Sequence, residues 1–282
     1  MKQLTKRILL ATLVLSVNLS FGQSRKLTAI VEKIAKINEV QEEQVGFAGS
    51  ESENYKNFKQ LKEIATTEEL IQLTDNKNAT VACYASWALA DNAYPDLKAI
   101  FQKFVLQDKE VVTFSGCIVS ENNISSELYH RYWNKVDVSK RPNDKILLEL
   151  DRIVIFSKKP YWLLLNRALE NRIYAEPYKT QISILAFEQG QREAIFYLSN
   201  WHKAEFVDRI KIALVKYLNE TEFKNTGTTD YYKTVEELFK FNDLEIREVI
   251  IAKMKKDRHW EMGKVRFEIL LSDNYIYDID SE

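Results

Sequence analysis

Glycine and proline are scarce in this chain, seven and four among 282 residues, against the roughly 7% and 5% of an average protein. A fold made mostly of strands needs such residues at its many turns, so the scarcity excludes one and leaves helices. Long apolar runs are missing too. The longest, Ile8 to Leu19, is interrupted by Ser16 and Asn18 and falls short of the ~20 residues a membrane-spanning helix requires. There is no P-loop, dinucleotide fingerprint or Gly-x-Ser-x-Gly elbow. The three histidines, His130, His202 and His259, have no second histidine at zinc-ligand spacing. Each lies near a tryptophan (Trp133, Trp201, Trp260) and reads as a surface or packing residue.

The apolar run at the start follows Lys2, Lys6 and Arg7 and precedes the small residues Ser20 and Gly22, which is the pattern of a cleaved signal peptide. Residues 1–22 are therefore expected to be removed between Gly22 and Gln23. Because Gln23 rather than cysteine follows the cut, the expected product is soluble, periplasmic or secreted. Loss of three positive side chains takes the net charge from -1 to -4, which disfavours nucleic acid and anionic membranes as general partners. The remaining residues 23–282 are enough to bury about 75% of the unfolded chain's surface in a single domain.

Helical periodicity runs along the chain. Leu27, Ile30, Val31, Ile34, Ile37 and Val40 form one apolar stripe opposite Lys26, Glu32, Lys33, Lys36 and Glu39, as in an end helix that packs on one side. Tyr55, Phe58, Leu61 and Ile64 form a second stripe. Thr66 with Glu69 predicts a capping box that opens the next helix. Residues 81–90 have almost no polar face, so that helix, with Trp87 and Leu89, is expected to be buried on several sides. Its partner carries Phe101 and Phe104, and the four residues are assigned to the core. Further stripes at Ile146–Val154, Leu163–Leu165, Ile182–Ala186 and Phe206–Tyr217 keep the reading all-α. Asn219 to Asp230 is the longest polar linker and marks a possible lobe boundary.

A spacing of 32 residues relates Asn76-Lys77-Asn78-Ala79-Thr80-Val81 to Asp108-Lys109-Glu110-Val111-Val112-Thr113, and Phe241 to Arg247 offers a third polar turn opening a helix. In Asp243, Ile246 and Arg247, and in the Ala and Leu positions of Asn78 to Leu89, the chain resembles HEAT repeats, with Ala82 where the repeat carries Arg. The resemblance is clearest over residues 55–120. It implies a right-handed α-solenoid, an ARM-type superhelix of stacked antiparallel helix pairs. The paired His-Glu dipeptides of HEAT-like di-iron hydroxylases are absent, and the resemblance carries over no functional residue. No cofactor or metal is expected.

The two cysteines, Cys83 and Cys117, fall on what the repeat makes successive inner helices, so a structural disulfide is favoured over two buried thiols. The loop Gly46 to Ser50 places Phe47 either against a ligand or, preferably, as a seal on the first helix pair. Tyr129, Tyr132, Trp133, Tyr161, Trp162, Tyr231 and Tyr232 are candidates for a concave binding surface, with core packing as the plainer role for most. These features lead to an exported, non-enzymatic interaction protein that holds a protein or peptide partner on an extended face. The alternative is an exported enzyme or glycan-binding module with a carboxylate and aromatic groove.

Overall fold

The computed structural model describes residues 25–158, 161–277 and 279; the expected signal peptide and its cleavage point lie outside them. The protein is predominantly helical, and it divides into two compact units, one ending at Ile153 and the other beginning at Val154.

The first unit contains α1 (25–37), β1 (Val40–Val45), β2 (Ser50–Glu51), α2 (Glu53–Ile64), α3 (Thr67–Leu73), α4 (Ala79–Asp91), α5 (Leu97–Gln107), β3 (Glu110–Gly116), β4 (Ile118–Asn123) and α6 (Ile124–Lys135). The division between the units falls within α7 (Lys145–Ile155). At the centre of the first unit is α4, whose Val81 to Ala90 are all buried. It packs against α2, α3, α5, α6, β1 and β3, which explains why its sequence has no polar face. Its N-terminus is capped by Asn78, whose side chain accepts from the Val81 amide at 3.0 Å. The capping box expected at Thr66 and Glu69 is present in both directions. Trp87, Leu89, Phe101 and Phe104 are all in the core.

One departure from the all-α expectation is a mixed four-stranded sheet in the order β2-β1-β3-β4. Its β3–β4 hairpin occupies the segment that the 32-residue spacing had aligned with a helix. Val111, Val112, Thr113 and Phe114 on one side of Gly116 and Ile118 and Val119 on the other explain the change. Their branched or aromatic side chains suit a pleated strand, and Gly116 takes a positive φ of 54° in the turn. Val111 and Thr113 face inward while Val112 is exposed, the alternation of a strand covered on one face.

The second unit contains α8 (Trp162–Glu170), α9 (Tyr178–Phe187), α10 (Arg192–Trp201), α11 (Lys203–Glu220), α12 (Phe223–Thr226), α13 (Thr228–Phe239), α14 (Leu244–Lys256) and α15 (Lys264–Asp273). Neighbours in sequence pack on one another, α10 on α8, α9 and α11, and α11 on α13 and α14. Residues 219–230, read above as a polar linker, hold the end of α11, all of α12 and the start of α13. Phe223 is fully buried there and stacks on Tyr231 with ring centroids 4.0 Å apart. Asp243 caps α14 by accepting from the Glu245 amide at 3.0 Å, as the turn at 241–247 implied. Several polar groups inside the unit are paired: Arg192 binds Glu193 and Asp230, Tyr217 donates to Asp230 at 2.8 Å, and Ser199 donates to Glu237.

Candidate functional site

A cleft of about 400 Å³ in the first unit is lined by Glu42 and Glu43 of β1, Tyr55 of α2, Trp87 and Asp91 of α4, and Glu127, His130, Arg131, Asn134 and Lys135 of α6. Its α6 wall uses positions i, i+3, i+4, i+7 and i+8 from Glu127, which share one face of a helix.

Its β1 wall depends on an irregularity. Successive side chains of a regular strand point to opposite faces, yet Glu42 and Glu43 both line the cleft. Between Gln41, paired with Phe114, and Val45, paired with Gly116, β1 advances four residues while β3 advances two. This bulge is held by defined bonds. The buried Tyr84 hydroxyl accepts from the Gln41 amide at 2.7 Å and donates to the Gln41 carbonyl at 2.9 Å. Ser52 satisfies the next two carbonyls, its hydroxyl donating to Glu42 at 2.8 Å and its amide to Glu43 at 3.0 Å. The same hydroxyl accepts from the Tyr55 amide at 3.2 Å and so starts α2. One serine therefore positions the carboxylate rim and the helix that brings Tyr55.

The floor is a cation held by rings and a carboxylate. The Arg131 guanidinium lies 4.9 Å from the centroid of Trp87, 5.4 Å from Phe58 and 5.9 Å from Tyr55. It donates to both oxygens of Asp91, at 2.7 and 2.8 Å, the bidentate geometry in which arginine binds carboxylate most strongly. Lys62 adds a third bond to Asp91 at 2.9 Å. Burial works to raise the Asp91 carboxyl, but hydrogen bonds from Arg131 and Lys62 more than offset it, leaving Asp91 below the usual carboxylate value. Lys135, at the end of α6, donates to the carbonyls of Ala90 and Asp91.

Glu127 has the opposite environment. Burial, then the charge of Glu42, pushes its carboxyl up to about 7, although a hydrogen bond from Asn122 at 3.1 Å acts the other way. Among the described residues no ion pair reaches Glu127, Glu42 or Glu43. Arg131, one helical turn beyond Glu127, is committed to Asp91 instead.

The residues singled out from sequence are placed elsewhere for the most part. Tyr129 is fully buried and donates to Asp151 at 2.6 Å, and Tyr132 is buried with its hydroxyl on Asp144. Trp133 lies under the Arg141 guanidinium, 3.3 Å from its ring centroid. Phe47 does not seal a helix pair. It is fully exposed at the turn between β1 and β2, where Gly46 and Gly49 adopt positive φ. In the second unit Tyr161 and Trp162 are exposed neighbours, Tyr231 is buried, and Tyr232 lies under Arg266. The expected disulfide is absent, since Cys83 and Cys117 are both free, the first buried in α4 and the second exposed. The reason is the hairpin, which puts Cys117 on the turn between β3 and β4 rather than on an inner helix.

Glu127 and Arg131 were missed in the sequence because a glutamate four residues before an arginine reads as an ordinary surface pair of one helix. A half-apolar surrounding, Ile124, Leu128 and Tyr132 on the same helix, was the available signal that they flank a core. Among the described residues no group of three or more His, Cys, Asp or Glu side chains is placed to hold a metal ion, and no helix is long and apolar enough to cross a membrane. No protein-family model, curated protein or solved structure matches the chain.

Proposed function

We propose that this chain is an exported, non-enzymatic interaction protein that holds a segment of a protein partner in the cleft between β1 and α6. The observation that carries the reading is the pre-organised floor. Arg131 is fixed by two bonds to Asp91 and by three aromatic rings, so little side-chain freedom remains to be lost when a ligand docks. Around it stand exposed rim groups, Glu42 and Glu43 on one wall and Asn134 and Lys135 on the other, the polar border typical of a binding patch. HEAT-like stacking of helix pairs into a right-handed superhelix is part of the same proposal. It is supported by the packing of successive helices on one another in each unit.

The test is site-specific photo-crosslinking. A photoreactive residue at Asn134, on the rim, is compared with one at Lys255, on α14 of the second unit, in extracts of the source cells and their medium. A single protein captured at Asn134, absent at Lys255 and lost when Arg131 is replaced by Met, supports the reading. Equal capture at both positions, or none, refutes it.

One observation favours a second reading, an exported enzyme or glycan-binding module. Glu127 titrates near neutrality beside another carboxylate, Glu42, in a cleft with aromatic walls, as a general acid requires. Release of reducing sugar from polysaccharides, abolished by Glu127→Gln, would establish that reading over the first.

A further inference from the structure

We propose that the cleft seats a lysine or arginine side chain of the protein partner between Glu42 and Glu127, a specification that rests on the groove reading above. The arginine and lysine side chains that the chain itself brings to the cleft are engaged elsewhere. Arg131 and Lys62 are bound to Asp91, and Lys135 to main-chain carbonyls. Glu42 and Glu127 are left without an ion pair among the described residues, and the β1 bulge turns Glu42 and Glu43 toward Glu127. Like charges gathered in a partly desolvated cleft repel, and an incoming cation removes that repulsion.

A peptide side chain suits the surroundings better than a free amine. The ring of Tyr55 offers a surface for the methylene stem of lysine or arginine, which packs on apolar groups while its head reaches charge. Asn134 on the opposite wall presents a side-chain amide for main-chain carbonyls. Trp87, 3% exposed and lining the same cleft, keeps an indole N–H without an acceptor among the described residues. Buried donors ordinarily find a partner, and a small turn of the indole toward a docked peptide carbonyl supplies one.

The experiment is fluorescence anisotropy with the full chain and short fluorescein-labelled peptides that differ only in carrying lysines, glutamates or neither. At pH 8 the lysine peptide is expected to bind best, and the double variant Glu42→Gln/Glu127→Gln to bind it at least about tenfold more weakly, as for a charge pair that loses its partner. At pH 6, where Glu127 takes up a proton, wild-type binding weakens, and it still does so in His130→Gln, which removes the histidine of that wall as a cause. Circular dichroism checks that the double variant is folded. Undiminished binding of the lysine peptide by the double variant overturns the cation seat. Preference for the neutral or acidic peptide, lost on Lys135→Ala, overturns it too but leaves the groove reading standing. Binding of free spermidine as tight as that of the lysine peptide overturns the choice of a protein source. Failure of every peptide together with no capture at Asn134 overturns both proposals.

Discussion

Replacing Glu127 with glutamine isolates one charge whose cost can be followed with pH. The unfolded chain's glutamate titrates at its usual 4.5, and in the folded protein Glu127 is pushed up to about 7. Its folded pKa is raised, so the protonated side chain contributes stability that is fully present below 4.5 and is lost as pH rises through about 7. At about 1.4 kcal/mol for each pH unit between the two values, wild type is expected to lose about 2.5 kcal/mol relative to Glu127→Gln between pH 5 and pH 8. Glutamine keeps the shape and can still accept the hydrogen bond from Asn122, so packing changes little. Urea denaturation of both proteins, followed by far-ultraviolet circular dichroism across that range, measures the difference directly. Glu127→Gln should be the more stable protein at pH 8, and the gap should close toward pH 5. A difference that stays flat with pH, or wild type gaining stability toward pH 8, would refute the placement of Glu127 in a desolvated wall beside Glu42.

Four further outcomes follow from the packing. Trp87→Ala should cost about 3 to 5 kcal/mol as a core cavity in urea denaturation, and a loss below about 1 kcal/mol would contradict its burial. Arg131→Met should cost about 3 kcal/mol by leaving Asp91 short of its main partner; adding Asp91→Asn should recover part of the loss, and a double-mutant cycle with no coupling would contradict the bidentate pair. Thiol titration should find Cys117 reactive in the folded protein and Cys83 only after unfolding, because burial pushes the Cys83 thiol up; no reaction before reduction would show a disulfide instead. Phe223→Ala should destabilise the second unit by about 3 to 4 kcal/mol, and a neutral effect would mean that its stack on Tyr231 does not hold.

Local signals carried much of the architecture. A capping box needs two residues three apart, and Thr66 and Glu69 form one; a helix buried on all sides must be apolar on all sides, and α4 is. The hairpin at residues 110–123 was misread for a physical reason. Val111, Val112, Phe114, Ile118 and Val119 are compatible with an apolar helix by count, and only their branching, with Gly116 between them, argues for strands. A helix in that segment would put Cys117 on an inner face beside Cys83; the hairpin puts it on an exposed turn. The cleft was less legible still. Its defining bonds join residues far apart in sequence, Arg131 to Asp91 and Tyr84 to Gln41, and no periodicity in one segment announces them. Aromatic residues, by contrast, were easy to notice and mostly served packing, as Tyr129 and Tyr231 show.

The pairing of β1 with β3 also sets an order of assembly. Val40 finds its parallel neighbour Thr113 roughly seventy residues later, after four helices have intervened, and closing so long a loop is slow compared with forming each helix. On a ribosome β1 can pair with β2 at once, but its other edge waits until the hairpin has emerged. The wall that carries Glu42 and Glu43 is fixed only then, and the α6 wall follows directly after the hairpin, so a chain cut short before Glu110 can form helices yet has no cleft with which to bind anything.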